Sequence, residues 1–111
     1  MSMQSDLTAF VGNDMLYTFT LTYGDGPLDI TNLVPTFYLK ATRTSADGSG
    51  TSFTTGSGIT VVSAPLGKIS VAIPRANFTV AGQKWYHIDV KNNALDLINT
   101  VQFGNLAVLA V

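Results

Sequence analysis

His87 and Asp89 stand two residues apart in KWYHIDVKN, residues 84–92. In an extended strand, side chains two apart point to the same face. A histidine beside a carboxylate is the beginning of an acid–base pair. Such a pair needs a nucleophile or substrate group from another element, and a pocket to hold it. His87 is the only histidine, and no residue at recognisable spacing supplies the rest. The pair is read as part of a solvated or contact-making surface, and the chain as not an enzyme.

The other chemistry-bearing residue types are thinly spread. All seven acidic residues are aspartates. Asp14, Asp25 and Asp29 sit at turns, and oxygen-rich loops can hold calcium. No loop gathers three carboxylates and EF-hand spacing is missing, so these residues are read as backbone caps. GSGTSFTTGSG, residues 48–58, lacks the Gly-Lys-Ser/Thr ending of a phosphate loop, and no helix follows it. The absence of cysteine excludes a disulfide framework and thiolate metal ligation. Neither metal nor cofactor is expected. Six scattered basic residues and a net charge of −1 leave no footprint for nucleic acid or an anionic membrane. The longest apolar run, LAVLAV, is too short to span a bilayer. MSMQSDLTAF at the start has neither the basic nor the apolar part of a signal peptide. NFT at Asn77–Thr79 matches the N-glycosylation pattern, but without a secretion signal the match is read as chance.

The elements that would position these residues are strands. The 111 residues suit a single domain over 1–111, with 1–6 as a flexible or docking N-terminal arm. Glutamate, a good helix former, is absent, while Thr, Val, Phe, Tyr and Gly are plentiful. Turn signals recur about every ten residues with apolar–polar alternation between them, the mark of an all-β sandwich or barrel. MLYTFTLTY (15–23) puts Met15, Tyr17, Phe19 and Leu21 on one face. GDGP (24–27) is a turn, and Leu28 and Ile30 anchor the phrase after it. LVPTFYLKA (33–41) puts Leu33, Pro35, Phe37 and Leu39 inward. Pro35 cannot donate to a ladder, so the strand lacks a partner on one side there, bulges, or begins just after it. Residues 42–52 form a polar hairpin tip. GITVVSA (58–64) and GKISVAI (67–73) make a hairpin with Ile69, Val71 and Ile73 inward. PRANFTVAG (74–82) holds at most one helical turn. In LDLINTVQFGNLAVLAV (95–111), Val101 and Phe103 have one parity, Leu106 and Val108 the other. A bulge at Gly104–Asn105 would return both pairs to the core. The expected fold is an immunoglobulin-like β-sandwich of seven to eight antiparallel strands.

On this alternation Tyr86, Ile88 and Val90 face inward, and Trp85, His87 and Asp89 outward. Tyr38 also faces outward, from a strand expected in the same sheet. Val34, Tyr38, Trp85 and His87 therefore form a candidate interface, because exposed aromatic clusters on small domains mark protein contacts. The alternative is that the 42–56 loop folds back over them. Charged residues are only 12% of the chain, about half the usual share, which fits a surface covered by partners.

The order of motifs resembles a family of small bacteriophage virion domains. YTFTLT leads to DGPLDIT, then VPTFYLKA, GITV, GKISVAIP, YHIDV and the closing FGNLAVLAV, whose Gly104 and Val108 fit a G-x-x-x-V ending. The resemblance spans roughly residues 7–111 and is to the immunoglobulin-like N-terminal domain of siphophage baseplate upper proteins. It implies a β-sandwich that docks on other virion proteins, with no catalytic residues to carry over. The coiled-coil and receptor-binding sections of those proteins have no counterpart in this sequence, so an adaptor, connector or decoration role is implied. The expected setting is the virion, after synthesis in the host cytoplasm. The expected partners are other virion proteins and further copies of this chain. A capsid decoration protein and a carbohydrate- or receptor-binding module are the alternatives.

Overall fold

A computed structural model describes residues 3–23, 26–42 and 50–110. Its elements are β1 (Met3–Gln4), β2 (Leu7–Phe10), β3 (Met15–Thr20), β4 (Thr22–Tyr23), β5 (Gly26–Pro27), β6 (Val34–Lys40), β7 (Thr51–Thr55), β8 (Gly58–Ser63), β9 (Lys68–Ile73), a 3-10 turn (Arg75–Asn77), β10 (Gly82–Asn92) and β11 (Leu97–Leu109). The protein is all-β, as its composition predicts. Part of the expected 24–27 turn, including Asp25, and most of the 42–52 tip lie outside the described residues.

The alternation expected from the sequence is realised strand by strand. Phe19 on β3, Phe37 and Leu39 on β6, Ile69, Val71 and Ile73 on β9, and Tyr86, Ile88 and Val90 on β10 are all buried. Phe37 stacks on Tyr86 with ring centroids 5.3 Å apart, and Phe19 packs at 6.0 Å from each. Phe37 and Tyr86 are fully removed from water and Phe19 nearly so, and burial of rings this large contributes strongly to the stability of a small domain. Pro35 pairs with Val90 of β10, and β7 joins the other edge of β6 only from Thr36 onward. At Pro35 the strand thus has a described partner on one side only, one of the arrangements that its missing N–H predicts. Ile30 is buried, and its N–H donates to the Ala64 carbonyl at 2.9 Å, so the PLDIT phrase is tied across to the β8–β9 hairpin.

The arrangement of the strands differs from the expectation in two respects. It is mixed: β1 and β2 run parallel to β11, and β7 parallel to β8, while the other pairings are antiparallel. It is also continuous. Among the described residues, one ladder runs β1-β11-β10-β6-β7-β8-β9-β3, with β2 as a ninth strand beside β11. This sheet coils until it nearly closes into a barrel-like shape. At the closure the Tyr17 hydroxyl of β3 donates to the Thr8 carbonyl of β2 at 2.7 Å. The link from β7 to β8 is a tight loop in which Ser57 donates to the Thr54 carbonyl at 2.9 Å and Thr54 to the Ser57 carbonyl at 3.1 Å. That loop keeps the chain in the ladder where a longer connection would leave it.

The bulge in β11 is real but displaced. Ile88 pairs with Gln102 and Asp89 with Thr100, so Val101 is the extra residue. Val101 and Gln102 are both buried, and from Gln102 on the inward set is Gln102, Gly104, Leu106 and Val108. Phe103, expected in the core, lies on the opposite face. A bulge at either place satisfies Val101, Leu106 and Val108, and only Phe103 distinguishes them. Gly104 points inward because the Ser5 carbonyl packs onto it, and a β-carbon there would lie 2.1 Å from that oxygen.

Candidate functional site

Four adjacent strands, β11, β10, β6 and β7, share an outer face. Their registers put Phe103, His87, Tyr38 and Ser52 in one row across the sheet. Asn105, Trp85 and Lys40 form the next row on one side. Thr100, Asp89, Thr36 and Thr54 form the next row on the other. Directly opposite residues in a ladder have β-carbons about 5 Å apart, so side chains within and between these rows meet.

Two aromatic pairs result. The Tyr38 ring stacks on the His87 imidazole at 4.7 Å with 27° between planes. The Trp85 indole leans on Phe103 at 5.7 Å and 31°. Tyr38, Trp85 and Phe103 are half-buried, while His87 is only 8% exposed. The sequence therefore placed Tyr38, Trp85 and His87 on the correct face, and the structure brings them together. Val34 shares that face and is exposed, but it pairs with Lys91 beyond the Thr36–Asp89 row and stands apart from the aromatics. Phe103 is the member that sequence reasoning missed. The alternation Gln102, Gly104, Leu106, Val108 was the signal for it.

The histidine and its carboxylate do lie together. His87 Nε2 is 3.5 Å from Asp89 Oδ2, and the Thr100 hydroxyl donates to Asp89 Oδ1 at 2.7 Å. Thr100 thus orients the carboxylate. The imidazole edge is nearly enclosed, so the arrangement braces the face and offers a substrate little access.

The turn aspartates behave as caps. Asp14 Oδ1 accepts the Arg75 backbone N–H at 2.7 Å, and Oδ2 meets the Arg75 guanidinium at 3.1 Å. That backbone bond, followed by the guanidinium bonds, holds the Asp14 carboxyl below its usual range. Asp29 accepts from the hydroxyl and the N–H of Thr31, which lower its carboxyl likewise. Among the described residues, no three His, Cys, Asp or Glu side chains cluster as metal ligands would. Asn77 is used structurally, accepting from the Thr51 hydroxyl at 3.1 Å and donating to the Pro74 carbonyl at 3.2 Å. On the inner face, Gln102 donates to the Tyr86 hydroxyl at 3.2 Å, and that hydroxyl donates to the Ser5 carbonyl. This network fastens the 3–6 segment, whose Met3 and Gln4 pair with Gln102 and Phe103.

No protein-family model matches this chain, and no curated protein matches it.

Proposed function

We propose that this protein is a non-enzymatic structural component of a bacteriophage virion, an adaptor or connector of the tail, baseplate or neck. It docks on other virion proteins, in several copies, through the outer face of β11-β10-β6-β7. The observation that carries this reading is the pair of aromatic contacts, Tyr38 on His87 and Trp85 on Phe103, packed side by side on one face of the sheet. Tryptophan and tyrosine dominate interface energetics, because each buries a large rigid surface at small entropic cost. Here they are held in place before any partner arrives, so little further ordering is needed on docking. Val34 extends the same face toward its other end. Many copies on one particle would let modest contacts add up.

The order of motifs along the chain supports the virion reading, and the order of strand pairing supports an immunoglobulin-like arrangement. The continuous ladder depends at one point on two residue pairs, Thr54 with Gly58 and Thr55 with Ile59. Opened there, it becomes β11-β10-β6-β7 facing β8-β9-β3, the two-layer order of an immunoglobulin-like sandwich. A second reading, a carbohydrate- or receptor-binding module, is favoured by the partly exposed Trp85–Phe103 pair, which could stack on a sugar ring.

Light scattering after gel filtration, at several concentrations, tests the assembly reading on wild type and Trp85→Ser. The expected result is a defined oligomer that Trp85→Ser breaks while the fold is retained. Monomers in both cases would remove self-assembly through this face. Glycan binding by such a monomer, lost on Trp85→Ala, would favour the second reading.

A further inference from the structure

β1 and β2 share a single strand neighbour. Both run parallel to β11 on its outer edge, and among the described residues no strand lies on their other side. Lifting them away would leave the ladder from β11 through β10, β6, β7, β8 and β9 to β3 unbroken. The segment also buries little. Ala9 is fully buried, Leu7 and Val11 are half-buried and Phe10 is exposed, whereas β9 buries Ile69, Val71 and Ile73. A segment with few buried apolar contacts is among the first to open in a folded protein.

Its polar attachments are of two kinds. Along β11, the Ser5 N–H donates to the Phe103 carbonyl at 2.9 Å, the Asn105 N–H donates to Asp6 Oδ1 at 3.1 Å, and the Val11 N–H donates to the Leu109 carbonyl at 3.0 Å. Away from β11, two phenols reach across to it. The Tyr86 hydroxyl of β10 donates to the Ser5 carbonyl, and the Tyr17 hydroxyl of β3 donates to the Thr8 carbonyl at 2.7 Å. Ser5 is half-buried and Thr8 exposed, so water can take the place of each phenol when the segment lifts. Beyond Val11 the chain is clamped. The Gly12 N–H donates to the Phe78 carbonyl at 2.9 Å, and Asp14 holds both the backbone and the guanidinium of Arg75.

We propose that residues 3–11 are a strap that opens and closes as one unit over the rest of the folded domain, with the phenols of Tyr17 and Tyr86 as its catches. Open, the strap uncovers the outer edge of β11 from Gln102 to Leu109. Water then reaches the Gln102–Tyr86 hydrogen bond, which the closed strap continues through Ser5. Gly104 is what lets the strap close, because its bare Cα admits the Ser5 carbonyl. The strap is separate from the aromatic face and does not rest on the docking reading. Each catch acts at one end of the segment, Tyr86 at Ser5 and Tyr17 at Thr8, and this gives unit opening a signature. Simple fraying from the N-terminus would free Ser5 without disturbing Tyr17.

Native-state hydrogen exchange, followed amide by amide by NMR at low urea concentrations, tests this. In wild type the amides of Ser5, Asn105 and Val11 should share one opening constant. It should exceed that of Tyr86 and His87, on a strand paired on both sides, and should rise less steeply with urea. Tyr17→Phe should raise the constant at Ser5 and Asn105, remote from the lost bond, as much as at Val11, by about fivefold for one hydrogen bond. Tyr86→Phe, acting at the other end, should likewise speed Val11. Three results would each overturn the proposal. One is a graded series of constants from Ser5 to Val11. Another is exchange of the three amides no faster than that of Tyr86 and His87. The third is a Tyr17→Phe variant in which Ser5 and Asn105 exchange as in wild type.

Discussion

The backbone carbonyl of Ser5 rests on the Cα of Gly104, close enough that any β-carbon at 104 would sit 2.1 Å from the oxygen. The colliding atom is backbone, so no rotamer change relieves it. Ser5 is held there by its own N–H, which donates to the Phe103 carbonyl at 2.9 Å, and by the Tyr86 hydroxyl. Gly104→Ala should therefore destabilise the protein by about 1–3 kcal/mol, the range of core overpacking. Gly26→Ala, with open space around its Cα, should change stability by no more than about 0.5 kcal/mol. Urea denaturation of the two variants checks the contrast.

Adjacent residues on β6 should respond very differently to truncation. Phe37 has no exposed surface and lies against Phe19, Phe53 and Tyr86. Phe37→Ala should cost about 3–5 kcal/mol through lost burial and the cavity left behind. Tyr38→Ala removes a stacking contact on the outer face and should cost about 1 kcal/mol. Equal losses in thermal denaturation would contradict the inner and outer assignment of β6.

Alkaline pH should loosen the junction between β3 and β2. Burial pushes the Tyr17 phenol up to about 12 from an ordinary value near 10. A raised folded-state value means that the stabilisation is complete below the unfolded value and is lost as pH rises through the folded one. The phenolate also cannot donate to the Thr8 carbonyl. Stability should fall between about pH 10 and 12, and more gently in Tyr17→Phe. Denaturation midpoints across that range measure the difference. Tyr86, raised mainly by burial, adds to the fall in the same direction.

At the acid end, Asp14 should titrate below the usual aspartate range. Its contribution is present above that range and is lost as pH falls through the lowered folded-state value. The largest cause is the backbone N–H of residue 75, which remains in Arg75→Ala. NMR titration of the carboxyl carbon should therefore show only partial recovery toward the ordinary value in that variant. Full recovery would assign the effect to the guanidinium alone.

The strands and their inner faces were legible in the sequence, because pleating alternates side chains whatever the strand's neighbours are. That is why Phe19, Phe37, Ile69, Val71, Ile73 and Ile88 could be placed in the core from residue type and spacing. The outward set Tyr38, Trp85 and His87 followed by the same rule. Phe103 did not, because the apolar pattern favours a bulge at Gly104–Asn105 that would bury it, whereas the Ser5 carbonyl crossing Gly104 occupies the inner side there and the bulge falls at Val101. The parallel pairing of β1 and β2 with β11 was hidden for a related reason. Nothing in MQ or LTAF specifies which edge receives them.

The sequence by itself determined a β protein, the two faces of its main strands, the caps at Asp14 and Asp29, and the small residue at Gly104. Pairing order and register were decided only in three dimensions: His87 beside Tyr38, Trp85 beside Phe103, and β1 and β2 parallel to β11. Alternation is a local steric property of each strand and can be read along the chain. Register between distant strands is settled by joint burial of residues far apart in sequence, such as Phe37 against Tyr86, and by where one backbone finds room to cross another.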